Sequence, residues 1–314
     1  MEDGRKKRAF RAVGAWFDAA QGRPALSAIT WVIRSPPSEL LMQTPKTILL
    51  HLDSSPRSAE RVKLARQLAE AFEAEVTAQP CTLSALLRYP YALEAAAEAV
   101  AIMQSLDRDS RDKAHATFTS AAAGSPRLHW TEPMADAPWA FARRALYADL
   151  LILGQPDPDD PNAGELPSDF VSSVLVESGR PALLVPYAGP VGTIGRRVLI
   201  GWKETAEAAR AVSAALPWLA RAQAVQAISY GEDADASLGS LRAYLKAQGV
   251  ETEVHSGGPD EGEAGERLLS AAADMSADLL VMGCYGHSRA REWVLGGATR
   301  SLLRSMTLPV LMSH

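Results

Sequence analysis

The feature that most constrains the fold is an internal duplication. Ala148–Gly154 reads Ala-Asp-Leu-Leu-Ile-Leu-Gly, and Ala277–Gly283 reads Ala-Asp-Leu-Leu-Val-Met-Gly. Two further pairs of segments match in the same order along the chain: Ile48–Ser55 with Val198–Thr205, and Arg180–Pro186 with Leu308–His314. Three matches in one order indicate that the chain consists of two repeats of one structural unit.

Each repeat alternates short apolar runs with segments of helical periodicity. The runs show no polar alternation, which is typical of strands covered on both faces of a parallel sheet. The predicted strands are 48–52, 75–81, 128–130, 150–153 and 182–185, and then 197–202, 223–229, 250–255, 278–282 and 308–312. This alternation predicts βαβ units and an α/β fold with a mainly parallel open sheet.

The length agrees with two domains. A chain of 314 residues accommodates two units of about 100–150 residues each. We expect a poorly ordered extension at 1–43, a first domain at 44–188 and a second at 195–314. The last strands of the two repeats are short and apolar on both faces. Because an uncovered edge of that kind invites pairing, we expect 182–185 and 309–312 to lie together.

Charge and cysteine content exclude several classes of protein. The chain has 32 Lys and Arg against 37 Asp and Glu, a net charge of −5, so nothing electrostatic favours a nucleic-acid partner. Only Cys81 and Cys284 occur, one in each repeat, which argues against a disulfide framework and fits a cytoplasmic location. No apolar run approaches the roughly 20 residues that cross a bilayer, so no membrane association is expected.

A glycine-containing loop follows the fourth strand of the second repeat. Gly283 and Gly286 come after the buried run Leu279–Met282, and Gly296 and Gly297 precede a helical pattern. Spaced glycines between a strand and a helix let backbone N–H groups approach an anion, and the helix N-terminus adds a favourable dipole. The same glycines could serve only a turn and a helix start, and their spacing alone leaves both interpretations open.

The loop nevertheless resembles the nucleotide-binding signature of the universal stress protein family. In that signature G-x-x-G is followed after nine residues by G and then Ser or Thr, as in Gly283, Gly286 and Gly296 here. With its two repeats, the chain resembles a tandem universal stress protein over residues 44–314. The resemblance implies two open, doubly wound sheets of the adenine-nucleotide-hydrolase type, each with strand order 3-2-1-4-5. It also implies ATP or a related nucleotide as the ligand, with Mg²⁺ bound only alongside the nucleotide.

The resemblance further implies which residues of the second repeat surround the ligand. They are Gly201, Lys203, Met282, Gly283, Tyr285, Gly286, His287, Ser288, Arg289, Gly296, Gly297, Ala298 and Thr299. Two of them depart from the family pattern. Gly297 replaces a hydroxyl-bearing residue, and Lys203 replaces an aspartate that usually meets adenine. The basic residues His287 and Arg289 could bind phosphate or could form a solvated lid.

The first repeat shows the opposite pattern. It keeps an aspartate, Asp53, at the end of its first strand, but it lacks the glycine loop. Three aspartates follow Gly154 instead, at 157, 159 and 160, and their charges would repel phosphate. We therefore expect the first repeat not to bind a nucleotide.

Three functions remain open from the sequence. The first is a stress-response module that binds a nucleotide or another anionic small molecule and acts by conformation or through a protein partner or second copy. The second is a nucleotide hydrolase, which would need a base near the loop, where only Glu292 is available, so ATPase activity should be weak at most. The third is a scaffold without nucleotide, which the changes at Lys203 and Gly297 favour.

Overall fold

Strands and helices alternate along the chain in the computed structural model, which describes residues 44–89, 97–134, 139–157, 159–160, 165–260, 264–284 and 298–314. These residues belong to one compact unit, Leu41–His314. The expected extension at 1–43 lies outside the described residues. We call 44–188 the first half and 195–314 the second half.

The elements of both halves follow the apolar pattern closely. The first half contains β1 (Thr47–Leu52), α1 (Ser58–Phe72), β2 (Glu75–Pro80), α2 (Ala85–Arg88), α3 (Ala97–Ala122), β3 (Leu128–Trp130), α4 (Trp139–Ala145), β4 (Leu150–Gly154), α5 (Phe170–Ser178) and β5 (Ala182–Val185). The second half contains β6 (Arg197–Gly201), α6 (Ala206–Leu219), β7 (Ala224–Ser229), α7 (Ala234–Ala247), β8 (Glu253–Ser256), α8 (Ala264–Asp274), β9 (Leu279–Gly283), α9 (Ala298–Ser305) and β10 (Val310–Ser313).

The described strands form one 10-stranded sheet in the order β3-β2-β1-β4-β5-β10-β9-β6-β7-β8. Neighbouring strands are parallel within each half, and β5 and β10 are antiparallel, with Leu184 opposite Val310 and Ala182 opposite Met312. The α/β fold with a mainly parallel open sheet and the pairing of the two last strands are therefore confirmed.

Alternate residues of each strand enter two separate cores because successive side chains point to opposite faces of a sheet. From β1, Ile48 and Leu50 pack in one core with α1 and α6. Leu49 packs in the other, with α4 and α5 in the first half and α8 and α9 in the second. Helices thus cover both faces, which explains why the strands are continuous apolar runs. Among the described residues, no helix is long and apolar enough to span a membrane.

The two halves also meet through helices. The rings of Phe72 in α1 and Trp218 in α6 contact edge to face with centroids 4.9 Å apart. The guanidinium of Arg221 lies 5.3 Å from the Phe72 ring and donates a hydrogen bond of 3.2 Å to the carbonyl of Ala71. Because β5 and β10 run in opposite directions, the carboxyl ends of the strands lie on opposite edges of the sheet in the two halves. Each half therefore has its own edge for a site.

Candidate functional site

The second-half candidate site lies where the order of the strands reverses. β6 is flanked by β7 on one side and by β9 on the other, with Gly201 opposite Met282. In open α/β sheets, ligands bind in the crevice outside the carboxyl ends at this point. β9 ends at Gly283 and α9 begins at Ala298, so the glycine-containing segment joins this crevice to a helix start.

The structure describes six of the residues that the sequence assigned to this site. Gly201, Met282 and Gly283 lie together at the ends of β6 and β9, with Met282 buried. Thr299 is buried in the first turn of α9, which begins at Ala298. Lys203 lies two residues beyond β6, and 62 % of its side chain is exposed. The other seven lie outside the described residues: Tyr285, Gly286, His287, Ser288, Arg289, Gly296 and Gly297.

Gly283 has a structural reason to be glycine. A Cβ atom there would lie 2.5 Å from the backbone nitrogen of Ala208 and 2.8 Å from the carbonyl carbon of Glu207. These atoms belong to the first turn of α6, whose N-cap residue Thr205 accepts a hydrogen bond from the Ala208 N–H. The sequence assigned this glycine to ligand approach, and the close packing of the end of β9 on the start of α6 is a second reason for glycine at this position.

The equivalent point of the first half is filled by Arg61. This side chain is 3 % exposed, and its Nε donates to the carbonyl of His51 at 3.2 Å. Its Nη2 donates to Asp53 Oδ1 at 2.6 Å and to Ser58 Oγ at 2.7 Å. A Cβ atom on Gly154, at the end of β4, would clash with Arg61 Nη1. The guanidinium therefore occupies the space between the ends of β1 and β4.

Asp53 is engaged within the protein through its Oδ1 oxygen. Besides Arg61, it accepts hydrogen bonds from the Ser55 N–H at 3.0 Å, Ser55 Oγ at 2.6 Å and Ser58 Oγ at 2.7 Å. Burial alone would raise the pKa of this carboxyl, but the Arg61 guanidinium above all, and then His51 and the two hydroxyls, hold the pKa far below its ordinary value. Asp53 is thus a charged group whose Oδ1 is satisfied by neighbours within the protein.

His51 lies beside Asp53 and Arg61 and belongs to the same group of buried polar side chains. Burial lowers the pKa of the fully buried ring to about 4, so the ring is neutral near neutral pH. Its Nε2 lies 3.1 Å from the carbonyl of Cys81 and acts as the donor, while Nδ1 lies 3.9 Å from Asp53 Oδ2. Burial likewise raises the pKa of the Cys81 thiol, so this cysteine is not a reactive thiolate.

The two halves differ at each position of this cluster. Continuing the alignment of the repeats into the following helix pairs His51, Asp53, Ser58 and Arg61 with Gly201, Lys203, Ala208 and Ala211. Ala208 and Ala211 are buried and apolar. The crevice of the second half therefore lacks the side chains that fill the first. We call the group His51, Asp53, Ser58 and Arg61 the polar plug.

A second polar network covers the first-half edge. The carboxylate of Glu165 is buried and accepts hydrogen bonds from Ser54 Oγ at 2.9 Å and Ser110 Oγ at 2.7 Å, which ties α3 to the end of β1. The space left beside the plug is about 90 Å³, bordered by Asp157 and Asp160 among the described residues. Ligand sites usually measure roughly 300–1,000 Å³. Neither this space nor the described part of the other half groups three potential metal ligands.

Sequence reasoning missed Arg61, although the pattern of α1 contains a signal. Arg61 precedes Ala65 by four residues and Leu68 by seven, which places it in the apolar stripe of the helix. An arginine in such a stripe needs a buried partner, and Asp53, at the end of the preceding strand, lies eight residues before it. Trp202, the residue after β6, packs against the core and donates from Nε1 to Ser237 Oγ at 2.7 Å.

Comparisons with known proteins agree with this architecture. Residues 196–314 match the model of the Universal stress protein family. The universal stress protein Slr1230 of Synechocystis sp. (strain ATCC 27184 / PCC 6803 / Kazusa) is 38% identical over 76 residues, which are 24% of this chain and 25% of that protein. The chain thus spans about a quarter of the length of this curated relative.

Two solved structures are similar over most of the chain. A universal stress protein from Archaeoglobus fulgidus DSM 4304 is 16% identical, with 86% of this chain and 96% of that chain covered and a TM-score of 0.64. A putative universal stress protein from Pseudomonas aeruginosa UCBPP-PA14 is 16% identical, with 86% and 93% covered and a TM-score of 0.54. At such identities the structures establish a similar fold.

Proposed function

We propose, from the universal stress protein domain at residues 196–314, that this chain is a tandem universal stress protein with one ligand site. Its second half binds ATP, a related nucleotide or another anionic small molecule, and its first half binds none. The protein acts in a stress response through the conformation that the ligand favours or through a partner that reads that conformation.

The strand order supports two repeats of one unit. Read from β3 to β5 and from β8 to β10, the two halves have the same order of strands, which is the order 3-2-1-4-5 in each. The matching segments of the duplication fall on matching strands, since Ala148–Gly154 and Ala277–Gly283 contain β4 and β9. The solved structures named above cover both halves, which is consistent with this division.

The contrast between the two strand-reversal points carries the proposal. In the first half, Arg61 fills the crevice and Asp53 is satisfied by it at 2.6 Å. In the second half the aligned residues are small, apart from Lys203, and a glycine-containing segment begins at the strand end. A ligand with phosphate groups requires space, backbone N–H groups and no opposing carboxylates. Asp157 and Asp160 beside the small first-half space oppose such a ligand there, whereas the glycines that follow β9 favour one in the second half.

Calorimetric titration with ATP, ADP and GTP tests this function, and the expected stoichiometry is one nucleotide per chain. Gly286→Val should abolish binding, because a β-branched residue blocks the approach of the backbone to phosphate. Gly192→Val is the control, since no atom lies within 4 Å of a Cβ built there. Gly283 is unsuitable for this test because its substitution disturbs the packing on α6.

The outcomes separate the candidate functions. A stoichiometry of two nucleotides per chain would contradict the proposal that the first half binds none. Unchanged binding in Gly286→Val would show that the nucleotide does not bind at the glycine-containing loop. If the folded protein binds no nucleotide, the remaining candidate is a scaffold without nucleotide, which the changes at Lys203 and Gly297 also favour. Hydrolysis should be slow at most, and a turnover typical of enzymes, above about one per second, would contradict a binding role.

A further inference from the structure

We propose that the second-half site prefers a 6-oxopurine base, as in a guanine nucleotide, to adenine, and that Lys203 and Asp260 read the base. The inference deepens the nucleotide site proposed above and rests on it. Its basis is an ion pair at the carboxyl edge of the sheet, in which Lys203 Nζ lies 4.0 Å from Asp260 Oδ2.

The pair lies where a base next to β6 would be read. Lys203 follows the end of β6, Asp260 follows the end of β8, and β7 lies between these two strands. The ion pair therefore crosses the carboxyl end of β7, the strand next to β6, and the strand order reverses between β6 and β9. The Lys203 side chain is 62 % exposed and that of Asp260 is 47 % exposed, so a ligand can reach both.

The loop that carries Asp260 is held in place by its neighbours. The Arg267 guanidinium lies 4.2 Å from the Tyr230 ring centroid, donates to the carbonyl of Pro259 at 2.7 Å and also donates to the carbonyl of Gly257. The Gly231 N–H donates to the carbonyl of Gly258 at 2.9 Å. These contacts fix the turn before Asp260, and a fixed carboxylate selects between ligands better than a mobile one.

Gly257 permits this arrangement because a Cβ atom there would clash with the Tyr230 ring. The ring of Tyr230 is thus held between the loop backbone and Arg267. Tyr230 therefore helps to hold in place the loop that carries Asp260.

The chemistry of the pair matches guanine. An ammonium group only donates hydrogen bonds, and a carboxylate only accepts them. Guanine presents the acceptor O6 next to the donors N1–H and N2–H₂, so Lys203 can donate to O6 while Asp260 accepts from both nitrogens. Adenine presents an amino donor in place of O6 and an acceptor in place of N1–H. In the same pose, Lys203 would face a donor and Asp260 would face an acceptor.

Competition between GTP and ATP for the full-length protein tests the inference, with calorimetry as the readout. We expect GTP to bind at least about 10-fold more tightly than ATP, because one hydrogen bond to a charged partner is worth roughly that factor or more. Asp260→Asn should lose the preference for GTP and gain binding of xanthosine triphosphate, since an asparagine amide donates to the 2-oxo group that replaces the guanine amino group.

Two further variants complete the design. Lys203→Asp should reverse the preference in favour of ATP, because it restores an acceptor for the adenine amino group. Asp274→Asn removes the same charge at the exposed end of α8, before β9 and thus at the opposite edge of the sheet, and should leave the preference unchanged.

The results distinguish this inference from the proposed function. Binding of ATP as tight as that of GTP, or an Asp260→Asn variant that keeps its preference for GTP, would overturn the inference and leave a nucleotide site. A folded wild-type protein that binds neither nucleotide would overturn both. A reversal by Lys203→Asp together with the xanthosine gain in Asp260→Asn would establish that the two side chains read the base.

Discussion

Replacing Arg61 tests whether the polar plug is a coupled, buried network. Arg61→Met keeps the length of the side chain and removes three hydrogen bonds, to the His51 carbonyl, to Asp53 Oδ1 and to Ser58 Oγ. Asp53 is 13 % exposed, so the variant leaves its carboxylate buried without the cation beside it. Removing one partner from a buried ion pair typically costs about 3–5 kcal/mol.

Two routes limit this loss. Asp53 can take up a proton, which at about pH 7 costs about 4 kcal/mol from its ordinary pKa of about 3.9, at 1.36 kcal/mol per pKa unit. His51 can take up the proton instead and pair with the carboxylate, since its Nδ1 lies 3.9 Å from Asp53 Oδ2. The hydrogen bonds from Ser55 and Ser58 remain in either case. We therefore expect the free energy of unfolding to fall by about 2–4 kcal/mol.

Urea unfolding followed by circular dichroism measures this loss in a double-mutant cycle with Asp53→Asn. The double variant should lose at least about 1 kcal/mol less than the sum of the single variants, because each single change leaves a charge that the double change removes. Lys63→Met is the control. Its 2.8 Å ion pair with Glu60 is 51 % exposed on the lysine side, so the loss should stay within about 0.5 kcal/mol. If the losses are additive, or if Arg61→Met costs no more than the control, the polar plug is not a coupled network.

Two more predictions concern the same strand ends. Because burial lowers the pKa of His51 to about 4, the unfolded chain binds a proton at higher pH than the folded one. The wild type should therefore lose about 3 kcal/mol as the pH falls from about 6.5 to 4, and His51→Gln should lose correspondingly less in urea titrations over this range. Gly283→Ala should cost about 1–3 kcal/mol, since its Cβ would lie 2.5 Å from the Ala208 nitrogen, whereas Gly192→Ala should stay within about 0.5 kcal/mol in the same assay. Equal costs for the two glycines would contradict the close packing of β9 on α6.

The strands were predictable because most of them are covered on both faces. β4 and β9 are buried over their first four residues, so their sequences are uninterrupted apolar runs that periodicity recognises. The bounds of the exposed edge strand β8 were predicted least accurately, with residues 250–255 predicted and Glu253–Ser256 observed. Its side chains are mostly exposed, and hydrophobic periodicity carries little information about such a strand.

Helices that depend on local caps were harder to predict. α2 has only four residues and is held by its cap, in which Ser84 Oγ accepts from the Leu86 N–H and donates to Asp107 at 2.6 Å. The partner Asp107 lies in α3, 23 residues further along the chain. A helix of this length has no periodicity of its own, so its existence depends on a contact that sequence patterns do not contain.

The first-half site could be assessed only in part from the sequence. Its three acidic residues after Gly154 predicted poor phosphate binding, and two of them, Asp157 and Asp160, border the small remaining space. The role of Arg61 was not predicted, because it depends on how α1 packs against the sheet. This packing brings the Arg61 guanidinium to the end of β1. At the second-half site, the close contact of Gly283 with α6 likewise becomes visible only when the two elements are packed.

The polar plug explains why an aspartate at the end of β1 does not by itself indicate a ligand. A buried carboxylate needs either a ligand or an internal cation to offset the loss of hydration. Asp53 has the internal cation, at 2.6 Å, and its pKa is held far below the ordinary value without any bound molecule. Lys203 presents the converse case, because it is exposed and 4.0 Å from a carboxylate on a neighbouring loop. This contrast supports the proposal that the ligand binds in the second half.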